Sequence, residues 1–239
     1  MPFKVHLRRI VAQILKYKYR WHTRKSFIPI RELLLGPDHI INKGPFAGKP
    51  CYYKTGLLNT LIALRPQICL EIGTYYGGTT KIFEYYFRKY EPKGVLITAD
   101  IRKYINLTSK RVRQVLVYPH VCNICKYHDI TPDQLLPDFE MHFEDSVEAN
   151  CEILRKELKA VGAECFDFCF VDGDHQEVSF LRDLQIARLL SRPPHYTLID
   201  DTKDEIHECA IVYKRLMNEV NHYDFDDWPI FVGMSLIWY

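Results

Sequence analysis

Residues 166–176 read FDFCFVDGDHQ, an apolar and aromatic run that stops at Val171 and passes at once into Asp172, Gly173, Asp174 and His175. Such a run is the signature of a strand buried on both faces. Its polar end is either a capped turn or a place where the strand meets a ligand. The same design recurs along the chain. QICLEIG (residues 67–73), GVLITAD (94–100) and YTLIDD (196–201) are also short apolar runs that end on carboxylates or glycine.

Helical patterns separate these runs. LLNTLIALRP (57–66), TTKIFEYYFRKY (79–90), VEANCEILRKELKAVG (147–162), VSFLRDLQIARLLSR (178–192) and EIHECAIVYKRLMNEV (205–220) carry apolar residues at helical spacing. MHFEDS (141–146) reads as a third strand in chain order, and DWPIFVGMSLIWY (227–239) as one or two last strands around Gly233. Strands alternating with helices imply parallel pairing. The expected fold is α/β, a doubly wound and mostly parallel sheet with helices on both faces. Residues 51–239 form this domain, with a long insertion at about 102–140 that is basic and helical at first and turn-rich at its end. Residues 1–50 precede it as a basic N-terminal helical arm and lid segment.

Composition supports a globular chain: 47% hydrophobic and 26% charged residues in 239 exclude disordered and collagen-like classes. The net charge of +2 is uneven, for residues 1–31 hold nine Lys or Arg and no acid. Leu7, Ile10, Val11 and Ile14 give that arm an amphipathic helical pattern, expected to pack on its own domain or a partner subunit. Nothing downstream adds the interleaved aromatic and basic residues of a nucleic-acid footprint, so no nucleic acid is expected. Charges interrupt the N-terminal apolar positions, which argues against a secretory signal. No stretch reaches the roughly 18 apolar residues of a membrane span. A soluble, cytoplasmic protein with reduced thiols is expected, and the arm makes a homo-oligomer a fair expectation. His120, Cys122, Cys125 and His128 crowd into nine residues, too close to wrap readily around zinc; a loop with incidental thiols is the favoured reading, with zinc the alternative.

In doubly wound sheets ligands bind beyond the carboxyl ends of the strands. After the first strand, EIGTYYGGTT (71–80) supplies Gly73 for a tight turn, and Gly77 and Gly78 for close backbone approach at a helix N-terminus. The glycine spacing departs from the dinucleotide fingerprint, so a smaller, carboxylate-bearing nucleoside fits better than a pyrophosphate. Asp100, closing the second strand, is placed for vicinal ribose hydroxyls or for capping a helix. Asp145 and Ser146 are placed beside an adenine or at a helix N-cap. Asp172, Asp200 and Asp201 end neighbouring strands about 4.8 Å apart, where mutual repulsion favours a hard divalent cation. Helix capping by Asp174 and Asp201 is the competing explanation.

Together, LEIGTYYGGTT, FVDGDHQ and LIDDT resemble the class I S-adenosylmethionine-dependent methyltransferases, above all the divalent-metal O-methyltransferases of the catechol O-methyltransferase and macrocin O-methyltransferase / cephalosporin hydroxylase kinds. The resemblance spans about residues 54–239. It implies a Rossmann-like methyltransferase fold in which Glu71, Gly73, Tyr75, Gly77 and Thr79 surround the methionine and ribose of the cofactor. Asp100 would then hold the ribose hydroxyls, and Asp145 and Ser146 would flank the adenine. Asp172, Asp200 and Asp201 match ligands of Mg²⁺ or another divalent cation, Asp172 also bordering the cofactor, and His175 or Asp174 takes the place of the general base. The implied activity is O-methylation of a hydroxyl on a sugar, phenolic small molecule or glycan. A hydroxylase-like reaction on the same fold, and a non-catalytic binding protein, are the alternatives. SRPPHY (191–196) replaces the usual glycine-rich turn before the fifth strand, so the acceptor is the least transferable feature.

Overall fold

A computed structural model describes residues 55–74, 77–101, 109–118, 146–203, 208–225 and 233–239. The basic arm, Tyr75, Asp145, the segment with His120, Cys122, Cys125 and His128, and most of residues 102–140 lie outside the described residues.

The elements run α1 (Thr55–Leu64), β1 (Ile68–Ile72), α2 (Gly78–Lys89), β2 (Val95–Asp100), β3 (Val112–Leu116), α3 (Ser146–Ala160), β4 (Phe168–Val171), α4 (Glu177–Leu190), β5 (Thr197–Asp200), α5 (Glu208–Leu216), β6 (Asn221–Asp224) and β7 (Met234–Trp238). The sheet order is β3-β2-β1-β4-β5-β7-β6. The pairs within β1 to β5 are parallel, while β7 runs antiparallel between β5 and β6. The expected doubly wound, mostly parallel sheet is the observed one.

Burial on both faces explains why the inner strands are nearly continuous apolar runs. Side chains alternate between two cores. Leu70, Ile72, Cys169, Val171 and Ile199 face Leu154, Leu158, Phe180, Leu184, Ala187 and Val212 of α3, α4 and α5. Cys69, Phe168, Phe170 and Leu198 face Leu57, Leu61, Phe83, Tyr86 and Phe87 of α1 and α2. Phe83 packs at 6.3 Å from Phe168 and 6.5 Å from Phe170, ring centre to ring centre. Each such buried ring contributes about 1.5–3 kcal/mol. Among the described residues Cys69, Cys151, Cys165, Cys169 and Cys209 are thiols, and no helix is long and apolar enough to cross a membrane.

Two strands depart from expectation: β6, Asn221–Asp224, falls between the expected helix over 205–220 and the expected last strands within 227–239, and β3 is the other. The third strand in chain order is Val112–Leu116, inside the stretch read as a basic, helical insertion, and Ser146 of the expected MHFEDS strand is instead the first residue of α3. Val112 and Val115 are buried, one in each core, whereas Arg113 is exposed and Gln114 half-buried on this edge strand. A half-solvated edge needs only two apolar side chains, and that pattern is easily hidden by arginines.

The chain reverses its direction of travel between β1 and β4. From β1 it adds β2 and β3 on one side, then returns to place β4 on the other. This is the switch point at which a crevice opens beyond the strand ends. Gly73 and Asp172 sit there, one step past β1 and β4.

Candidate functional site

At the switch point the two loops are in backbone contact. Gly73 has φ +96°, and a Cβ added to it would lie 1.9 Å from the Asp172 carbonyl oxygen. Only glycine lets the β1 loop pass so close to the β4 loop. The Gly73 N–H donates to the Ala99 carbonyl at 2.9 Å, and the Asp172 N–H donates to the Ile72 carbonyl at 2.9 Å. The glycine loop and Asp172 are therefore one rigid unit, built across three strands.

Gly77, with φ 73°, is the N-cap of α2 and donates its N–H to the Thr74 carbonyl at 2.8 Å. Gly77 offers that helix no side-chain cap bond, and the first N–H groups of a helix need acceptors from outside it. Thr79 and Thr80 follow in its first turn, both buried.

Beneath the loop lies a buried hydroxyl chain. Glu71 is fully buried, and its Oε2 accepts the hydroxyls of Thr80 and Thr98, each at 2.6 Å. Thr98 Oγ1 is 2.5 Å from Thr74 Oγ1. A hydroxyl has one proton, and that of Thr98 goes to Glu71. Thr74 is therefore the donor to Thr98. Glu71 thus ties β1, β2 and α2 together under the loop it was expected to line. The signal for Thr98 is present in the sequence as the one polar residue inside the apolar run VLITA.

Asp100 ends β2 and accepts the Val117 N–H at its carbonyl, 3.0 Å away. Ser146, fully buried, accepts a hydrogen bond from Arg182 Nη1 at 3.1 Å. Asn150 on α3 secures the end of β3, with Oδ1 accepting the Tyr118 N–H at 2.8 Å and Nδ2 donating to the Tyr118 carbonyl at 3.0 Å.

On the other side of the switch point, Asp172, His175 and Asp201 bring ligand atoms within 4.8 Å of one another. His175 Nε2 is 3.2 Å from Asp201 Oδ2 and 3.8 Å from Asp172 Oδ1. Burial of the imidazole disfavours its charged form, but the hydrogen bond to Asp172 and the charges of Asp201, Asp172 and Asp200 outweigh that and raise its pKa above the ordinary histidine value. Asp200 closes β5, buried and paired in register with Met234 of β7. It adds charge to the group without being one of its three close members. Asp201 then takes a left-handed turn, φ 57°, which swings the chain away from the strand.

Asp174 is not the N-cap of α4. The N-cap of α4 is Gln176, whose side chain makes no cap bond. Asp174 braces the turn instead: Oδ2 accepts the Ser179 hydroxyl at 2.8 Å and Oδ1 accepts the Gln176 N–H at 3.4 Å. The α4 terminus is completed from a distant element, as Glu208 Oε2 accepts the Glu177 N–H at 2.8 Å. Asp201 lies seven residues before Glu208, the first described residue of α5.

The Asp201 loop is anchored by a second buried network. Thr202 Oγ1 is 2.8 Å from Ser235 Oγ, and Ser235 donates to Asp224 Oδ1 at 2.6 Å. Tyr213 of α5 donates its hydroxyl to the same carboxylate oxygen. Sequence reasoning missed Thr202, Ser235, Asp224 and Tyr213, since their pairing depends on β7 entering the sheet beside β5.

No protein-family model matches the chain, and no curated protein matches it. Solved structures do match. The MycE methyltransferase from the mycinamycin biosynthetic pathway, in complex with Mg, SAH and mycinamycin VI, is 14% identical with a TM-score of 0.51 over 87% of this chain and 54% of that one. An O-methyltransferase from Bacillus cereus in complex with SAH is 16% identical with a TM-score of 0.52, covering 91% of this chain and 95% of that one. The chain has the methyltransferase fold. A third structure, cofactor-bound Rv0187 from MTB, is 16% identical with a TM-score of 0.51 and covers 88% of each chain. The chain spans about half the length of the MycE methyltransferase and nearly all of the Bacillus cereus one. In the methyltransferase fold of this chain, the glycine loop and the Asp172–His175–Asp201 group lie on either side of one switch point.

Proposed function

We propose that this protein is an S-adenosylmethionine-dependent O-methyltransferase, assisted by a divalent cation, acting on a hydroxyl of a small molecule or glycan. One observation carries the reading: the Gly73 turn and the Asp172 turn are in van der Waals contact at the sheet's switch point. A cofactor held by the first would lie beside the carboxylates of the second.

The residues fit both groups. Around the cofactor we place the Gly73 to Thr79 loop including Tyr75, with Glu71 holding it from below, Asp100 at the ribose, and Asp145 and Ser146 at the adenine. S-adenosylmethionine supplies a methyl group on a sulfonium, open to in-line displacement by an oxygen nucleophile. The carboxylates of Asp172 and Asp201 fit a cation, with Asp200 adding negative charge from the end of β5. The Asp172 and Asp201 carboxylate oxygens, within 4.8 Å of each other, would suit a single hard cation with oxygen ligands at about 2.1–2.4 Å, which leaves the His175 nitrogen to act as base. A divalent cation bound there lowers the pKa of a coordinated hydroxyl and orients it.

His175 is the proton acceptor in this reading. Its Nε2 lies 3.2 Å from Asp201, within reach of a hydroxyl brought to that carboxylate. Asp174, the other candidate, is committed to Ser179 and Gln176, which favours His175. The Asp172 and Asp201 carboxylates stabilise the imidazolium once it has formed.

Calorimetric titration with S-adenosylhomocysteine, with and without Mg²⁺, tests the cofactor. Saturable binding is expected, and its absence in both conditions would sink the reading. Incubation with S-adenosylmethionine and a panel of vicinal diols and catechols, read by mass spectrometry, tests the reaction. A product gaining oxygen rather than a methyl group would move the assignment to a hydroxylase.

A further inference from the structure

Two loops carry the proposed cation site, one after β4 and one after β5, and a single residue of α5 joins them. Cys209 lies in the first turn of α5, fully buried. Its backbone N–H donates to the His175 carbonyl at 3.1 Å. Its thiol donates to the Asp201 carbonyl at 3.5 Å. The residue before it, Glu208, completes the N-terminus of α4 through the Glu177 N–H. The first turn of α5 therefore grips the α4 end of the His175 turn, at His175 and Glu177, and the backbone of Asp201.

From these contacts we infer that Cys209 is a positioning residue, whose N–H and thiol fix the distance between the loop bearing Asp172 and His175 and the loop bearing Asp201. The inference rests on the cation reading given above. The first N–H groups of a helix need acceptors from outside it, and here a site carbonyl serves as one. The buried thiol faces a carbonyl, which can only accept, so the thiol is the donor. A weak S–H bond adds little to overall stability, yet a site tolerates only about 0.5 Å of error. The thiol thus matters more to ligand geometry than to folding.

The test compares Cys209→Val, which keeps bulk and loses the donor, with Cys209→Ser, which keeps a donor. Mn²⁺ affinity is read by electron paramagnetic resonance on the protein without cofactor or acceptor, beside thermal melting and S-adenosylhomocysteine affinity. Cys209→Val is expected to weaken Mn²⁺ binding roughly three- to tenfold, with cofactor affinity unchanged and turnover lost in kcat rather than in KM. Cys209→Ser should stay within about twofold of the parent, since a hydroxyl restores the bond. If Cys209→Val does not fold, Cys209→Ala replaces it with the same expectation. Unchanged Mn²⁺ affinity in the donor-less variant, or equal loss in Cys209→Ser, would overturn the inference while leaving the cation site standing. A parent protein that holds no Mn²⁺ would overturn both.

Discussion

Gly73→Ala tests the link between the two halves of the site. The added Cβ would lie 1.9 Å from the Asp172 carbonyl oxygen and 2.9 Å from the Gly173 nitrogen, where ordinary contact begins at 3.4 Å. One loop must therefore retreat by about 1.5 Å. Alanine at φ +96° adds backbone strain of about 1–2 kcal/mol. With the overlap, a loss of about 3–5 kcal/mol is expected, or roughly 6–20 °C in melting temperature for a domain of this size. Displacement beyond 1 Å in a site costs on the order of 100-fold in rate, so S-adenosylhomocysteine and Mn²⁺ affinities should fall together. Gly162→Ala is the control. Gly162 has φ +74° with nothing within 4 Å of its would-be Cβ, so it reports backbone strain alone, about 1–2 kcal/mol, with both affinities intact. The assay is differential scanning calorimetry paired with calorimetric titration of each ligand. If Gly73→Ala melted and bound ligands like Gly162→Ala, the contact between the loops would not be what organises the site.

The raised pKa of His175 predicts a pH dependence of stability in metal-free protein. The imidazolium is favoured in the folded state, so its contribution is fully present below the ordinary value of about 6.5 and is lost as pH rises through the raised one. Melting of the parent should fall across that window relative to His175→Gln, and parallel curves would refute the electrostatic account. Ser235→Ala removes a buried hydroxyl bonded to Asp224 and Thr202; urea unfolding should show a loss of about 1–3 kcal/mol, and no loss would mean the network does not hold the Asp201 loop. Thr98→Val keeps the shape but removes the donor to Glu71. It should cost about 1–3 kcal/mol and weaken S-adenosylhomocysteine binding, whereas an unchanged titration would place Glu71's network outside the cofactor's influence.

The strands that line the crevice were legible because burial on both faces leaves no room for polar residues until the strand ends. LEIG and FCFVDG announce both the strand and its terminus. β3 and β6 were not legible for the opposite reason: Arg113 and Gln114, or the wholly polar NHYD, satisfy an edge that is half in water. The carboxylates of Asp172, Asp200 and Asp201 could be read as a cluster because parallel strand ends are neighbours by construction. That Asp201 would turn left-handed, and that His175 rather than Asp200 would complete the closest trio, depends on loop geometry. Cys209 reads as a core thiol in sequence, since its two partners are set by how α5 meets loops far away in the chain.

The position of β7 has a consequence for how the chain is made. Among the described strands it comes last in the chain but is an inner one in the sheet, between β5 and β6. Until it emerges, a nascent chain presents β5 with the edge that β7 covers, TLID, bare and leaves β6 without the strand it pairs with. Such an edge recruits other chains. Expression yield should therefore respond to translation speed over the codons of Met234–Trp238, and truncation before Met234 should yield aggregates rather than a smaller folded protein.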